Sequence, residues 1–359
     1  MIEGVESGLA TVRTGVGVPR QIQRPEEYDE QTRAGLDYVD DIAAEKVAAG
    51  RPDNTVTAYA QDWKAWEKFC AEKQLPLLAI RSGTLVWFVE WLWEQPGRKA
   101  GSRTAPSTID RRITGIVVSA RVDHKLTLEH GVAKQARARL TQLKDELAKS
   151  PETRGRGKAP ALKIPHLQLI SAALPDNLRG LRDRALVLVH FALAGREHEI
   201  AWLRNRHITL TDEGLVVDVA VSKVKPRTVG IPYGTRLATC PVRNWVKYKE
   251  AVEELTGEPL NPDEFAFRRI HAKGKSLMAG GITPEAVGDV VTSAGEIAGI
   301  EIRFTGHSPR RGFATESVKK GKEREAKRQG GWAKASRAFE EYVEEGGLFE
   351  DNALHGIGL

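Results

Sequence analysis

The sequence predicts a mainly α-helical protein with one small antiparallel β-sheet, divided into two domains. Three observations carry that reading. Apolar residues recur at helical spacing through residues 27–150. A basic stretch with prolines and glycines, residues 151–164, then breaks the pattern. Beyond it, helical segments flank a run of strand-like alternation, LVVDVAVS, bounded by turn residues. A chain of 359 residues is long enough for two cores, and 41% apolar with 6% aromatic content can fill them.

Residues 1–26 are rich in Gly and Val, show no period and read as a mobile tail. Pro25-Glu26-Glu27 suits a helical first turn, and Gly50-Arg51-Pro52 stops the helix that follows. Asp53 or Asn54 can cap the next one, DNTVTAYAQDWKAWEKFCAEK, whose stripe is Tyr59, Trp63, Trp66, Phe69 and Cys70. Leu85–Trp93 reads as a buried helix ended by Pro96-Gly97. Ser107 opens another, with Ile109, Ile113, Ile116 and Val117 on one face. Val132–Lys149 is the last, with Leu140, Leu143 and Leu147 in period. Residues 27–150 therefore form an all-helical domain.

In the linker, Arg154, Arg156, Lys158 and Lys163 face one acid, Glu152. A basic linker can lie along phosphates, so these four are candidate DNA contacts. The second domain, 165–359, starts with two helices carrying Leu181, Leu186, Leu188, Val189 and Phe191. Strands are predicted through HITLTDEGLVVDVAVSK and RTVGIPYG. Helices are predicted again at Pro241–Thr256, Pro284–Ala298, His307–Gly321, Glu323–Gly330 and Ala335–Glu345.

A net charge of +6 permits a polyanionic partner without requiring one. Cys70 and Cys240 form no CxxC, which excludes a disulfide framework and a cysteine zinc site and suits a reducing cytoplasm. The first twenty residues hold no signal-peptide apolar run. The longest apolar stretch, Leu85–Trp93, contains Glu90 and is too short to span a membrane.

The chemistry lies in the C-terminal half. Arg196 closes an apolar helix in ALAGREHEI, and Glu199, one turn on, can orient it. Lys223 lies in a strand-turn-strand pattern, with Lys225 as its competitor. In TGHSPRRGFAT, Ser308-Pro309 signals a helix start, which puts His307 and Arg310 on one face; Arg311 competes with Arg310. Trp332 of GGWAK precedes Tyr342 of FEEYVEEG. Two guanidiniums, an ammonium and an imidazole can surround one phosphate, and a phenol beside them can attack its phosphorus. A free phenol has a pKa near ~10, so loss of its proton at neutral pH costs roughly 4 kcal/mol, which a cationic cluster offsets. No metal and no cofactor is expected. His198-Glu199 opens like HExxH, but Trp202 stands where the second His is needed, and GRGKAP is not a phosphate-binding loop.

These residues, in this order, resemble the tyrosine recombinase (phage integrase) family over roughly residues 52–359. The closing EDNALHGIGL is similar to tails of its actinobacterial and phage members. The resemblance implies a two-domain clamp on DNA, a helical core-binding half and an α+β catalytic half. It implies Tyr342 as nucleophile forming a 3′-phosphotyrosine, with Arg196, His307, Arg310 and Trp332 around the phosphate. Lys223, at the family's position just before the turn, would be the general acid, and Arg310 is preferred to Arg311 by register. Two departures stand out. Tryptophan at 332 is less common than histidine, and its indole donates but shuttles no proton. The spacing to Tyr342 is one residue longer than in the best-known members, whose position holds Glu341. The implied partners are double-stranded DNA with specific sites, three further copies of the chain on two duplexes, and room for an accessory DNA-bending or directionality protein. Leu348, Phe349, Leu354 and Ile357 make the tail a candidate for docking on a neighbouring copy, with burial on its own domain as the alternative. Rival readings are a telomere resolvase, a type IB topoisomerase, a DNA-binding relative without catalysis, and a hydrolytic nuclease.

Overall fold

The computed structural model describes residues 25–359 except 51–52, 98–99, 223–225, 272–273, 348–353 and 355–359. It is mainly α-helical with two small antiparallel sheets, and its contacts separate two compact units, 1–157 and 158–359. Among the described residues no helix is long and apolar enough to cross a membrane.

The first unit holds α1 (Glu30–Ala49), α2 (Asp53–Lys73), α3 (Ser82–Glu94), α4 (Pro106–Val122) and α5 (Lys134–Ala148). The predicted first helix is split. Pro25–Glu27 forms a single 3-10 turn, and α1 begins only at Glu30, with Asp29 accepting the Thr32 amide at 2.7 Å as a cap. The aromatic stripe of α2 does what its period requires: Trp66, Phe69 and Cys70 are buried. They pack on Phe88 and Trp91 of α3, with Trp66 and Phe88 edge-to-face at 5.1 Å. Ile109, Ile113 and Ile116 of α4 and Leu140 and Leu143 of α5 close the core. A charge lies inside it. Asp62 is fully buried on α2 and pairs with Arg111 of α4 at 2.5 Å. The space is available because Gly115 of α4 stands where any Cβ would meet the Asp62 carboxylate.

In the second unit α6 (Ile164–Ala173) and α7 (Leu178–Leu193) lead to a short α8 (Glu197–Ala201). A three-stranded meander follows: β1 (Ile208–Thr211), β2 (Gly214–Val219) and β3 (Arg227–Pro232), in the order β1-β2-β3. Leu215, Val217 and Val219 of β2 face inward and pair with Ile231, Val229 and Arg227. The chain continues through α9 (Pro241–Thr256), the hairpin β4 (Arg268–Ile270) and β5 (Leu277–Gly281), and α10 (Pro284–Ile297). It ends with α11 (Ser308–Val318), α12 (Glu323–Gly330) and α13 (Arg337–Gly347). The β4–β5 hairpin was not expected. β4 is only three residues long, with a bulge inside the pairing, so no alternation can develop in the sequence. The core runs from Leu186–Val189 of α7 to Trp245 and Tyr248 of α9 and Val287 and Val291 of α10. A smaller cluster joins Ala314 and Val318 of α11, Ala326 of α12 and Phe339 of α13.

Candidate active site

The site is built where α7 stops. Ala194 takes the left-handed conformation (φ 47°, ψ 35°), and the reversal presents Arg196 as the N-cap of α8. Such a conformation is unfavourable for a residue with a Cβ. It is held from both sides: the Ala194 carbonyl accepts from Arg310 Nη1, and the Gly195 carbonyl lies 3.2 Å from Nε2 of the fully buried His190. Burial pushes the His190 pKa down to about 3, so its ring is neutral.

Glu199 is the anion around which the cations are arranged. As the third residue of α8 it accepts the Arg196 amide at 3.0 Å, closing the first turn, and takes Arg196 Nη1 at 2.8 Å. Arg227 Nη2 of β3 reaches its other oxygen at 2.9 Å, and Ser222 Oγ donates at 2.9 Å. Burial alone would raise its pKa, but these donors, Arg227 foremost, hold it at about 2.

α11 supplies the second half. The Thr305 amide donates to Ser308 Oγ at 2.9 Å and Pro309 occupies the first turn, so His307 and Arg310 share one end of the helix. The Leu162 amide donates to the Ser308 carbonyl at 3.0 Å, and the Leu162 carbonyl lies so close to Gly312 that a Cβ there would be 2.0 Å away. Arg310 is buried; its Nη1 donates to the Ala194 and Gly330 carbonyls, the latter at 2.8 Å, and its guanidinium lies 3.7 Å from the Trp332 ring centre. Burial and then Arg196 push its pKa down to about 9, with Glu199 and Tyr342 acting in the other direction, so it keeps its charge at neutral pH. The His307 side chain is solvent-exposed. Its pKa is lowered, first by partial removal from water, then by Arg310, Arg196 and His198.

The GGW turn completes the set. Gly330 has no room for a Cβ, which would sit 1.9 Å from the Trp332 ring, and Gly331 takes a φ of 65°. Trp332 meets Phe339 edge-on at 5.1 Å and Tyr342 at 6.0 Å. Tyr342 is half-buried on α13, with the Arg311 guanidinium 5.6 Å from its ring centre. Arg196, Glu199, His307, Arg310, Trp332 and Tyr342 thus converge. Arg310 faces the cluster with its charge buried, while Arg311 lies over the phenol. Lys223 and its competitor Lys225 lie outside the described residues, between β2 and β3 in the sequence. Among the competing tyrosines of this unit, Tyr248 is core, with its hydroxyl accepting the Arg268 amide at 3.3 Å, and Tyr233 stacks with Arg243 at 5.0 Å. Tyr28, Tyr38 and Tyr59 belong to the first unit.

Arg227 was not foreseen. Its signal was the one cation, in PRTVGIP, whose register opposes an inward-facing residue, Val219. The four linker cations part company. Arg154 is turned into the helical unit: its side chain is 2% exposed and bridges to Glu152, its Nη1 donates to the Trp93 carbonyl at 2.8 Å, and its guanidinium stacks 3.9 Å from the Trp93 ring centre. Its charge is spent there rather than offered to a phosphate. Lys158 pairs with Glu341 of α13 at 2.8 Å, a contact that holds the Glu341 carboxyl below its usual range. Lys163 caps α6, with its amide donating to His166 Nδ1 at 3.1 Å. Arg156 is exposed. Of the tail residues only Leu354 is described, and it is exposed; Leu348, Phe349 and Ile357 lie outside the described residues.

No protein-family profile matches the chain. A curated integrase/recombinase XerD homologue from Selenomonas ruminantium is 26% identical over 318 residues, covering 87% of this chain and 88% of its own. Among solved structures, XerH site-specific recombinase on a palindromic difH substrate, in a post-cleavage complex, aligns at a TM-score of 0.53. It is 13% identical and covers 83% of this chain and 80% of its own. A lambda integrase tetramer bound to a Holliday junction aligns at 0.52, with 14% identity over 88% of this chain and 78% of its own. At those identities the structures establish a shared fold; the sequence match runs along most of both chains. With the cluster around Glu199 and Arg310 on that scaffold, the chain has the fold of the tyrosine recombinases and is similar in sequence to an integrase/recombinase along most of its length.

Proposed function

We propose that the chain is a site-specific DNA recombinase that cleaves and rejoins strands through a 3′-phosphotyrosine on Tyr342. The observation that carries this reading is the grouping of Arg196, His307 and Arg310 with one counter-charge, Glu199, beside the half-buried phenol of Tyr342. Cations that lower each other's proton affinity are costly to hold together unless an anion joins them. A phosphodiester is an anion of the right size, and guanidiniums bind it in bidentate fashion.

In this reading the Tyr342 oxygen attacks phosphorus. Its proton leaves through His307, whose pKa is lowered first by partial removal from water and then by Arg310 and Arg196. Arg196 and Arg310 neutralise the charge that builds on the non-bridging oxygens, and the Trp332 indole donates to one of them. The P–O5′ bond breaks, and Lys223 gives the departing oxygen its proton. A 5′-hydroxyl from a partner strand then attacks the phosphotyrosine, returning the phenol. One phosphodiester replaces another, so no external energy source is required.

The partner is double-stranded DNA in the cytoplasm. The tetramer on a Holliday junction formed by the similar lambda integrase supports four copies exchanging strands in pairs. Docking of the C-terminal tail on a neighbouring copy, and an accessory bending or directionality protein, belong to the same proposal. Arg156 and Lys158, exposed on the linker, are its candidate backbone contacts.

The test starts from a pool of nicked duplexes made from bacterial genomic DNA. Sites recovered from trapped adducts are rebuilt as one suicide substrate. Tyr342→Phe keeps the ring between Trp332 and Phe339, so fold and DNA affinity should be retained while the adduct disappears. An adduct that survives in Tyr342→Phe removes Tyr342 as nucleophile.

A further inference from the structure

Arg227 has no part in the chemistry above, yet it holds the site's two halves at once. Its side chain is 8% exposed. Nη2 donates to Glu199 Oε2 at 2.9 Å and Nε to the Gln329 carbonyl at 2.7 Å. One planar group therefore joins β3, the carboxylate that orients Arg196, and the turn that presents Trp332. The next carbonyl along that turn, Gly330, is taken by Arg310 at 2.8 Å. Two arginines from β3 and α11 thus hold consecutive carbonyls of one turn. Gly331 closes over the guanidinium, where a Cβ would lie 3.4 Å from Arg227 Cδ.

A scaffold role alone is a poor account of this residue. Its Nη1 is buried with no hydrogen-bond partner among the described residues, a cost that an apolar side chain would avoid. Buried ion pairs are often replaceable by well-packed apolar groups without loss of stability. What an apolar residue cannot do is fix a carboxylate and a carbonyl in one plane at defined distances.

We propose that Arg227 is a positioning residue for strand cleavage: by gripping Glu199 and the Gln329 carbonyl together, it sets Arg196 and Trp332 in register on the same phosphate. The proposal rests on the recombinase reading. It carries a consequence in pH. The groups that face Glu199 are Arg196 at the start of α8, Arg227 on β3, Ser222 in the turn, Arg310 on α11 and His190 on α7. Arg227 is the first of those that outweigh burial at Glu199. Without it the carboxyl takes a proton at higher pH than in the wild type, and Arg196 then loses its charged partner.

The experiment measures single-turnover adduct formation on the suicide duplex from about pH 5 to 8, together with DNA affinity and thermal unfolding. Wild type, Tyr342→Phe, R227K, R227Q and the double variant E199Q/R227Q are compared. R227Q should bind DNA as wild type does and form adduct about 10²-fold more slowly, the scale of a small misplacement of a reacting group. Its rate relative to wild type should fall further as pH drops, because His307 titrates in both proteins and cancels from the ratio. In E199Q/R227Q the ratio should be flat with pH. R227K, which keeps the charge but not the planar two-sided grip, should recover part of the rate. A folded R227Q or R227K with a wild-type rate overturns the proposal, as does a pH-independent ratio in R227Q. Should R227Q not fold, an undiminished rate in folded R227K overturns it alone. Failure of the wild type to form any adduct refutes the recombinase reading instead.

Discussion

Replacing Glu199 by Gln removes the one anion between Arg196 and Arg227, and its cost can be worked from two directions. The carboxyl is 1% exposed and accepts from Arg196, Arg227 and Ser222. Its pKa falls from an ordinary 4.5 to about 2 on folding. At about 1.4 kcal/mol per unit, that shift corresponds to roughly 3 kcal/mol of stability at neutral pH. Breaking a buried ion pair by deleting one partner costs about 3–5 kcal/mol, which overlaps the first figure. For a unit of this size, 3 kcal/mol is roughly a 6–12 °C fall in the unfolding midpoint. Limited proteolysis at rising temperature, read on peptides from residues 158–359, follows this unit separately from the helical one. The group's folded pKa is depressed, so the stability it contributes is fully present above about pH 4.5 and is lost as pH falls toward 2. The difference between wild type and Glu199→Gln should therefore be constant from neutral pH down to about 5 and shrink below it. A midpoint shift under about 2 °C at neutral pH, or a difference undiminished near pH 2, refutes the reasoning.

Arg196→Ala and Arg310→Ala should each slow adduct formation by about 10²-fold or more with a smaller loss of DNA affinity, and near-normal cleavage would demote either one. Arg310→Ala should also lower the unfolding midpoint, since the Ala194 and Gly330 carbonyls lose their donor. Neutralising Arg156 and Lys158 should flatten the salt dependence of DNA binding by up to ~0.9 in log–log slope per lost contact while site preference persists; an unchanged slope would leave the linker a spacer. Arg154→Ala should leave that slope unchanged and destabilise the helical unit, because the charge is committed to Glu152 and the Trp93 face; a slope change equal to that of Arg156 would contradict the packing.

The helices were legible because their signals are local. Residues 53–73 carry apolar side chains at a spacing that suits one helical face, and α2 occupies that segment. The pairing of His307 with Arg310 was equally local, since a proline-led first turn forces two residues three apart onto one side. Glu199 could be named as the partner of Arg196 for the same reason. Other features had no local signal. Nothing in PRTVGIP says that Arg227 spans 102 residues to the Gln329 carbonyl, and nothing in TRGRG says that Arg154 turns back 61 residues to Trp93. Register with His307 already favoured Arg310 over Arg311, but no local signal says that its Nη1 meets the carbonyl of Ala194, 116 residues away.

The sequence by itself determined which side chains could do phosphate chemistry and which short segments would hold them, because helix period, capping and turn chemistry act over a few residues. Only the tertiary structure decided which cations gather around Glu199 and Tyr342 and which are committed to partners elsewhere. That distinction depends on burial and on partners far along the chain. The guanidinium of Arg154 stacked on Trp93 and that of Arg310 stacked on Trp332 are the same residue type in the sequence, and the fold alone gives them different surroundings.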